Sequence, residues 1–206
     1  QYAQTGNRRN FEILHLKRRQ ILTVLVLAEC MEGQGRFYNA IVDAVWSICE
    51  ESSWCFPAHV GVQKAGVNLP DTSEPIVDLF AAETSALLAW TLYLTGLGLE
   101  SVSPLVTKRI RREIMERILD PCLARDDFWW MGFLPRRVNN WNPWINSNWL
   151  ASALIVEEDE VRRRAAVNKS LRSLDRFITP YPRDGGCDEG PSYWGLRHSR
   201  HRAGRV

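Results

Sequence analysis

Much is missing from this sequence, and each absence removes a class of function. The five cysteines (Cys30, Cys49, Cys55, Cys122 and Cys187) are odd in number and never spaced C-x-x-C. That pattern gives neither a zinc site nor a disulfide framework, and no metal or other cofactor is expected. There is no Walker A loop, no G-x-G-x-x-G, no G-x-S-x-G elbow and no H-E-x-x-H, so the common nucleotide, serine-hydrolase and zinc-protease sites are set aside. The longest mainly apolar run, Ile21–Ala28, is far too short to span a bilayer, and no membrane partner is expected. The chain begins without Met and without a charged-then-apolar leader. Strand-like alternation of apolar and polar residues is absent too.

Charge excludes a further partner. The 26 basic and 24 acidic residues leave a net charge of +2. Four of the arginines (Arg197, Arg200, Arg202 and Arg205) crowd the last ten residues, and without them 22 basic residues face 24 acidic ones. The body is near neutral and has no basic stripe, so nucleic acid is not an expected partner.

What remains is helical. From Phe11 to Glu32 apolar residues recur at Ile13, Leu14, Leu16, Ile21, Val24, Leu25 and Leu27, a helical spacing ended by Gly33 and Gly35. A second helix is predicted over Arg36–Glu51, followed by a loop over Ser52–Asn68 that carries Trp54 and His59. Asp71–Pro75 reads as the start of a helix running to Thr95, with Glu83 on its apolar stripe. Ser103-Pro104 opens another helix, predicted to stop before Pro121. A last one spans Glu158–Ile178 and leads into a Gly/Pro-rich loop over Tyr181–Gly195. The array is all-α, built of helical hairpins whose loops hold the chemically capable residues.

The stretch Asn139–Leu150, NNWNPWINSNWL, stands apart, with five asparagines and three tryptophans in twelve residues. Amides bond hydroxyls and carboxylates, and indoles cover the faces of sugar rings. The plain alternative is that the asparagines cap turns and the tryptophans fill a core. Asn142 reads as an N-cap with Pro143 in the first turn, one turn away from Asn146.

Two chemistries suit such residues on a sugar polymer. A glycosidase needs two carboxylates with separated pKa values, which Asp127, Glu189 or Glu83 could supply. A lyase abstracts the proton α to a uronate carboxylate and expels the sugar oxygen at C4. It needs a neutral donor at the carboxylate, a base and an acid. Asparagine suits the first role, and tyrosine or histidine the others.

Four strings taken together resemble the heparinase II/III-like polysaccharide lyases: ESSWCFPAH (Glu51–His59), EPIVDLFAAET (Glu74–Thr84), NNWNPWINSNWL and DGGCDEGPSYWG (Asp184–Gly195). The resemblance implies an (α/α) toroid that cleaves uronic-acid polysaccharide by β-elimination, secreted or in the cell envelope. It implies catalytic roles for Tyr193 as acid and Asn140 as the group that neutralises the uronate, with His59 as a further catalytic candidate. Asn139, Asn142, Asn146, Trp130, Trp141, Glu189 and Trp194 are implied substrate-binding residues. Trp141 stands where some relatives carry a histidine. Residues 1–195 are expected to form the N-terminal part of the toroid domain, and 196–206, which no longer resemble the family, a basic, disordered tail. The sequence is expected to lack the family's remaining toroid helices and C-terminal β-sandwich, and so to form an incomplete toroid, inactive and aggregation-prone alone. The alternatives are an inverting glycosidase on the same architecture and a non-catalytic carbohydrate-binding fragment.

Overall fold

The computed structural model describes residues 2–183 and 186. Among these residues every regular element is helical. A short α1 (Tyr2–Thr5) precedes α2 (Arg9–Glu32) and α3 (Tyr38–Cys49). Then come α4 (Leu79–Val102), α5 (Pro104–Ile114), α6 (Asp120–Ala124), α7 (Trp141–Val156) and α8 (Glu160–Ile178). A π-turn over Met115–Leu119 joins α5 to α6, and 3-10 turns lie at Val60–Val62 and Trp129–Met131.

The helix α4 is the central member, packed by α2, α3, α5 and α7, with α8 beyond α7. Its inner residues Leu88, Leu92 and Leu99 meet Leu22, Ile41, Val45, Ile110, Ile145 and Trp149 in one buried core. Each such side chain contributes about 1.5–3 kcal/mol by leaving water.

Three helix boundaries differ from those predicted. The chain enters α4 at Leu79, not near Pro75, because Asp78 is the stronger cap. Its backbone is extended (φ −104°, ψ −175°) and its carboxylate accepts from Phe80 N and Ala81 N. The same helix runs past Gly96 and Gly98 to Val102. A Cβ on Gly98 would lie 1.9 Å from Tyr38 Cζ, so glycine is there to admit the tyrosine ring. Nor does Pro121 stop α5. The Asp120 N–H donates to Met115 O, one residue further back than in an α-helix. That extra residue resets the register and leaves Pro121 in a first turn, where a missing N–H costs nothing.

Orientation differs as well. α2 buries His15, Arg19, Leu22, Val26 and Glu29, and turns Ile13, Leu14, Ile21, Val24, Leu27 and Met31 outward. Its polar inner face holds because each charge is met. Arg19 binds Glu51 through both terminal nitrogens and gives its Nε–H to Thr84 Oγ1. Glu29 accepts from Gly35 N and Phe37 N.

Connections alternate in length. Residues 33–37, Ser103 and residues 157–159 are short links, whereas residues 50–78 and 125–140 are long ones. Short links force antiparallel neighbours, so all short links lie at one end of the array and the long ones at the other. The N-termini of α2, α4 and α7 therefore point to the long-loop end.

Candidate functional site

At the long-loop end, His59 and Asp78 meet. The Nδ1 of His59 lies 2.7 Å from Asp78 Oδ2. Asp78 is 1% exposed and already caps α4 through Oδ1, while Oδ2 also accepts from Phe56 N at 3.1 Å. A carboxylate holding three backbone donors cannot turn away, and its fixed Oδ2 orients the imidazole. His59 keeps 14% of its side chain exposed. Among the described residues no hydrogen bond reaches its Nε2.

Around this pair stands an aromatic wall. The His59 ring centroid lies 4.7 Å from Trp141 and 6.1 Å from Phe80, and Trp141 lies 5.0 Å from Trp129. The Arg136 guanidinium sits 4.6 Å from the Trp129 ring centre. Trp129, Trp141 and Phe80 are all half-buried, each with an edge or face left to solvent. Phe56 stacks on Phe80 at 3.6 Å and also meets the buried His15 and the exposed Phe11.

Asn139 and Asn140 stand at the head of α7, beside Trp141. The exposed Asn139 accepts from Trp141 N through Oδ1 and so performs the cap. Asn140 is the residue before the helix and makes no side-chain cap bond. Among the described residues its half-buried amide has no hydrogen-bond partner, and it directly precedes Trp141.

Three residues predicted to bind substrate are core instead, and the N-cap reading of Asn142 is corrected with them. Asn142 and Asn146 are fully buried on the inner face of α7. Asn142 Nδ2 donates to Trp130 O at 2.8 Å, Ser173 O at 2.9 Å and Ser173 Oγ at 3.1 Å. Asn146 Nδ2 donates to Ser173 Oγ and to Asn142 O, and Ser173 Oγ in turn donates to Met131 O. Trp130 is 1% exposed and gives its indole N–H to Val77 O. No sugar face can reach it. These bonds tie the Trp129–Met131 turn to α7 and α8 and so fix Trp129 against Trp141. The neighbouring Trp129, not Trp130, is the half-buried one that packs on Trp141.

Asp78, Trp129 and Phe80 are the site members that sequence reasoning missed. An N-cap residue directly before a helical stripe was a signal for Asp78; nothing local distinguished Trp129 from Trp130. Tyr193, Glu189 and Trp194 lie outside the described residues. Glu83 is half-buried on α4, one turn after Phe80. Asp127 is held in a fork by Arg125 Nε and Nη2, and that hydrogen bonding keeps its carboxyl below the ordinary range.

Among the described residues no group of three or more His, Cys, Asp or Glu side chains is placed to hold a metal ion. No helix there is long and apolar enough to cross a membrane. Cys49, Cys55 and Cys122 are buried free thiols, with burial pushing Cys49 up to about 12. No family model matches the sequence, and no curated protein is similar to it.

Proposed function

We propose that this chain is part of an α/α-toroid lyase that cleaves uronic-acid-containing polysaccharide by β-elimination. The observation that carries the reading is the meeting, at one end of the array, of a carboxylate-held histidine, a half-exposed tryptophan pair and Asn140, whose amide is uncommitted among the described residues. The family likeness itself rests on the four sequence motifs.

In this reading Trp129 and Trp141 cover a sugar ring and Asn140 donates to the uronate carboxylate. Charge then moves onto that carboxylate as the C5–H bond breaks, and the donor is worth most at that moment. The proton passes to His59, the C–H electron pair forms the C4=C5 bond, and the C4–O bond breaks. The departing oxygen takes a proton from Tyr193, and both side chains recover their starting states by exchange with solvent.

The glycosidase alternative is weaker, because Asp127 is locked to Arg125 and kept ionised, whereas a general acid needs a raised pKa. The test is a panel of uronate polymers treated with the protein expressed from its complete gene. A lyase yields an unsaturated product absorbing in the ultraviolet. New reducing ends without that absorbance would replace the reading with hydrolysis, and binding with neither product would leave a carbohydrate-binding domain.

A further inference from the structure

The pairing of His59 with Asp78 has a consequence for which imidazole nitrogen can accept a proton. We infer that Asp78 is a positioning residue that fixes His59 as the Nδ1–H tautomer, leaving Nε2 as the acceptor of a ring that packs on Trp141. The carboxylate is acceptor-only and sits 2.7 Å from Nδ1, so in the neutral ring the shared proton belongs to the imidazole.

Asp78 cannot shift to suit another arrangement. Its Oδ1 takes Phe80 N and Ala81 N, and its Oδ2 takes Phe56 N beside the ring. Phe56 and His59 belong to the loop between α3 and α4, so one carboxylate both starts α4 and pins that loop. Stacked Phe80 and tilted Trp141 flank the ring and oppose a flip that would exchange its nitrogens. The same residue therefore sets helix start, loop position and tautomer. The inference rests on the lyase reading only for where the accepted proton comes from.

The experiment reads the histidine tautomer directly, from the two ring-nitrogen shifts and their couplings in 15N-histidine protein. His59 in the wild-type chain is expected to show a protonated Nδ1 and a pyridine-like Nε2. In Asp78→Asn the amide oxygen keeps the α4 cap while the amide NH2 takes the place of Oδ2, giving up the Phe56 N–H bond and donating to Nδ1, so the tautomer reverses to Nε2–H. In Asp78→Ser the cap is kept and the ring, without a partner, populates both forms. The buried His15 serves in each sample as a reporter that the fold is intact. Under the lyase reading, Asp78→Asn also lowers kcat about 10²–10⁴-fold, the range for one proton-transfer group, with KM little changed. A wild-type Nε2–H tautomer, or a tautomer indifferent to Asp78→Asn in folded protein, would overturn the inference. If the wild-type enzyme gives no unsaturated product, the lyase reading fails while the tautomer result stands.

Discussion

The two ends of the helical array are built to opposite rules. At the short-loop end the links are minimal. Ser103 alone joins α4 to α5, closing one helix with extended backbone and capping the next with its hydroxyl. Gly98 there lets Tyr38 lie against the helix backbone. At the long-loop end the links are many residues long, yet they are held as firmly. Asp78 pins one loop, and the Asn142–Ser173–Asn146 network pins another. The difference is in what is left over. The short end spends its polar groups on closing turns, whereas the long end satisfies its backbone from buried side chains and leaves His59, Asn140, Trp129 and Trp141 facing outward. Rigid helices can present a site only where their connections are long enough to form one and anchored enough to hold it.

The sharpest way to probe that division is inside the asparagine stretch itself. Asn140→Ala is expected to lower kcat by about 10²–10³, the usual loss for one donor to developing negative charge, with an unchanged melting temperature. Asn142→Ala should do the reverse, costing about 2–4 kcal/mol for a buried, multiply bonded amide and sparing the rate per folded molecule. Paired melting and turnover measurements decide it; the same profile for both variants would erase the distinction between rim and core.

The short-loop end offers a smaller effect confined to stability. Gly98→Ala regains about 1 kcal/mol of helix propensity but forces Tyr38 outward, an overpacking cost of about 1–3 kcal/mol. A net loss is expected in wild type and a net gain in a Tyr38→Ala background, with activity untouched in both. Equal effects in the two backgrounds, read from denaturant unfolding, would show that Tyr38 is not what the glycine accommodates.

His15, behind the aromatic wall, links the long end to pH. Burial, then the charges of Arg19 and Arg18, lower its pKa to about 3. Folding thus keeps the proton off, while the unfolded chain binds it near pH 6.5. Its contribution is complete above that value and is lost as pH falls toward about 3, at roughly 1.4 kcal/mol per unit. His15→Phe, flanked by Phe11 and Phe56, should flatten this slope between pH 7 and 5. An unchanged slope would show that His15 is not its source, and it could not be assigned to Glu113, whose contribution is lost only below the ordinary carboxylate range. Burial alone would raise that carboxyl, but Arg117, Arg112 and Arg109 outweigh it and hold it low.

The weakest effect concerns the apolar outer face of α2. Val24→Lys removes an exposed valine and should change stability by less than about 0.5 kcal/mol while reducing self-association in size-exclusion profiles. Substantial destabilisation would mean that this face is packed in the isolated chain.

Helix periodicity made the long helices and their order legible, because apolar spacing is a local property, whereas the short α1 and α6 carried no such signal. Which face turns inward was not. α2 buries Arg19 and Glu29 because Glu51, Thr84 and the 33–37 turn meet them, and those partners lie elsewhere in the chain. The same limit applied at the site. Asn139, Asn140 and Trp141 were legible as residues that an ordinary loop or core does not need, whereas a lone loop histidine such as His59 gave no such signal and its packing on Trp141 is seen only in the fold. Trp130 and Trp129 are adjacent in sequence, and only the bond from Trp130 to Val77 O decides which is core. Pro121 misled for a related reason, since a π-turn relocates the residue that lacks an N–H.

The account turns on the long-loop end being a lyase site, and one time course tests it. The protein from the complete gene, mixed with a uronate polymer, is followed by ultraviolet absorbance and by reducing ends together. The account requires both to rise in step, and to fall together in Asn140→Ala. Reducing ends that rise with flat absorbance would contradict it.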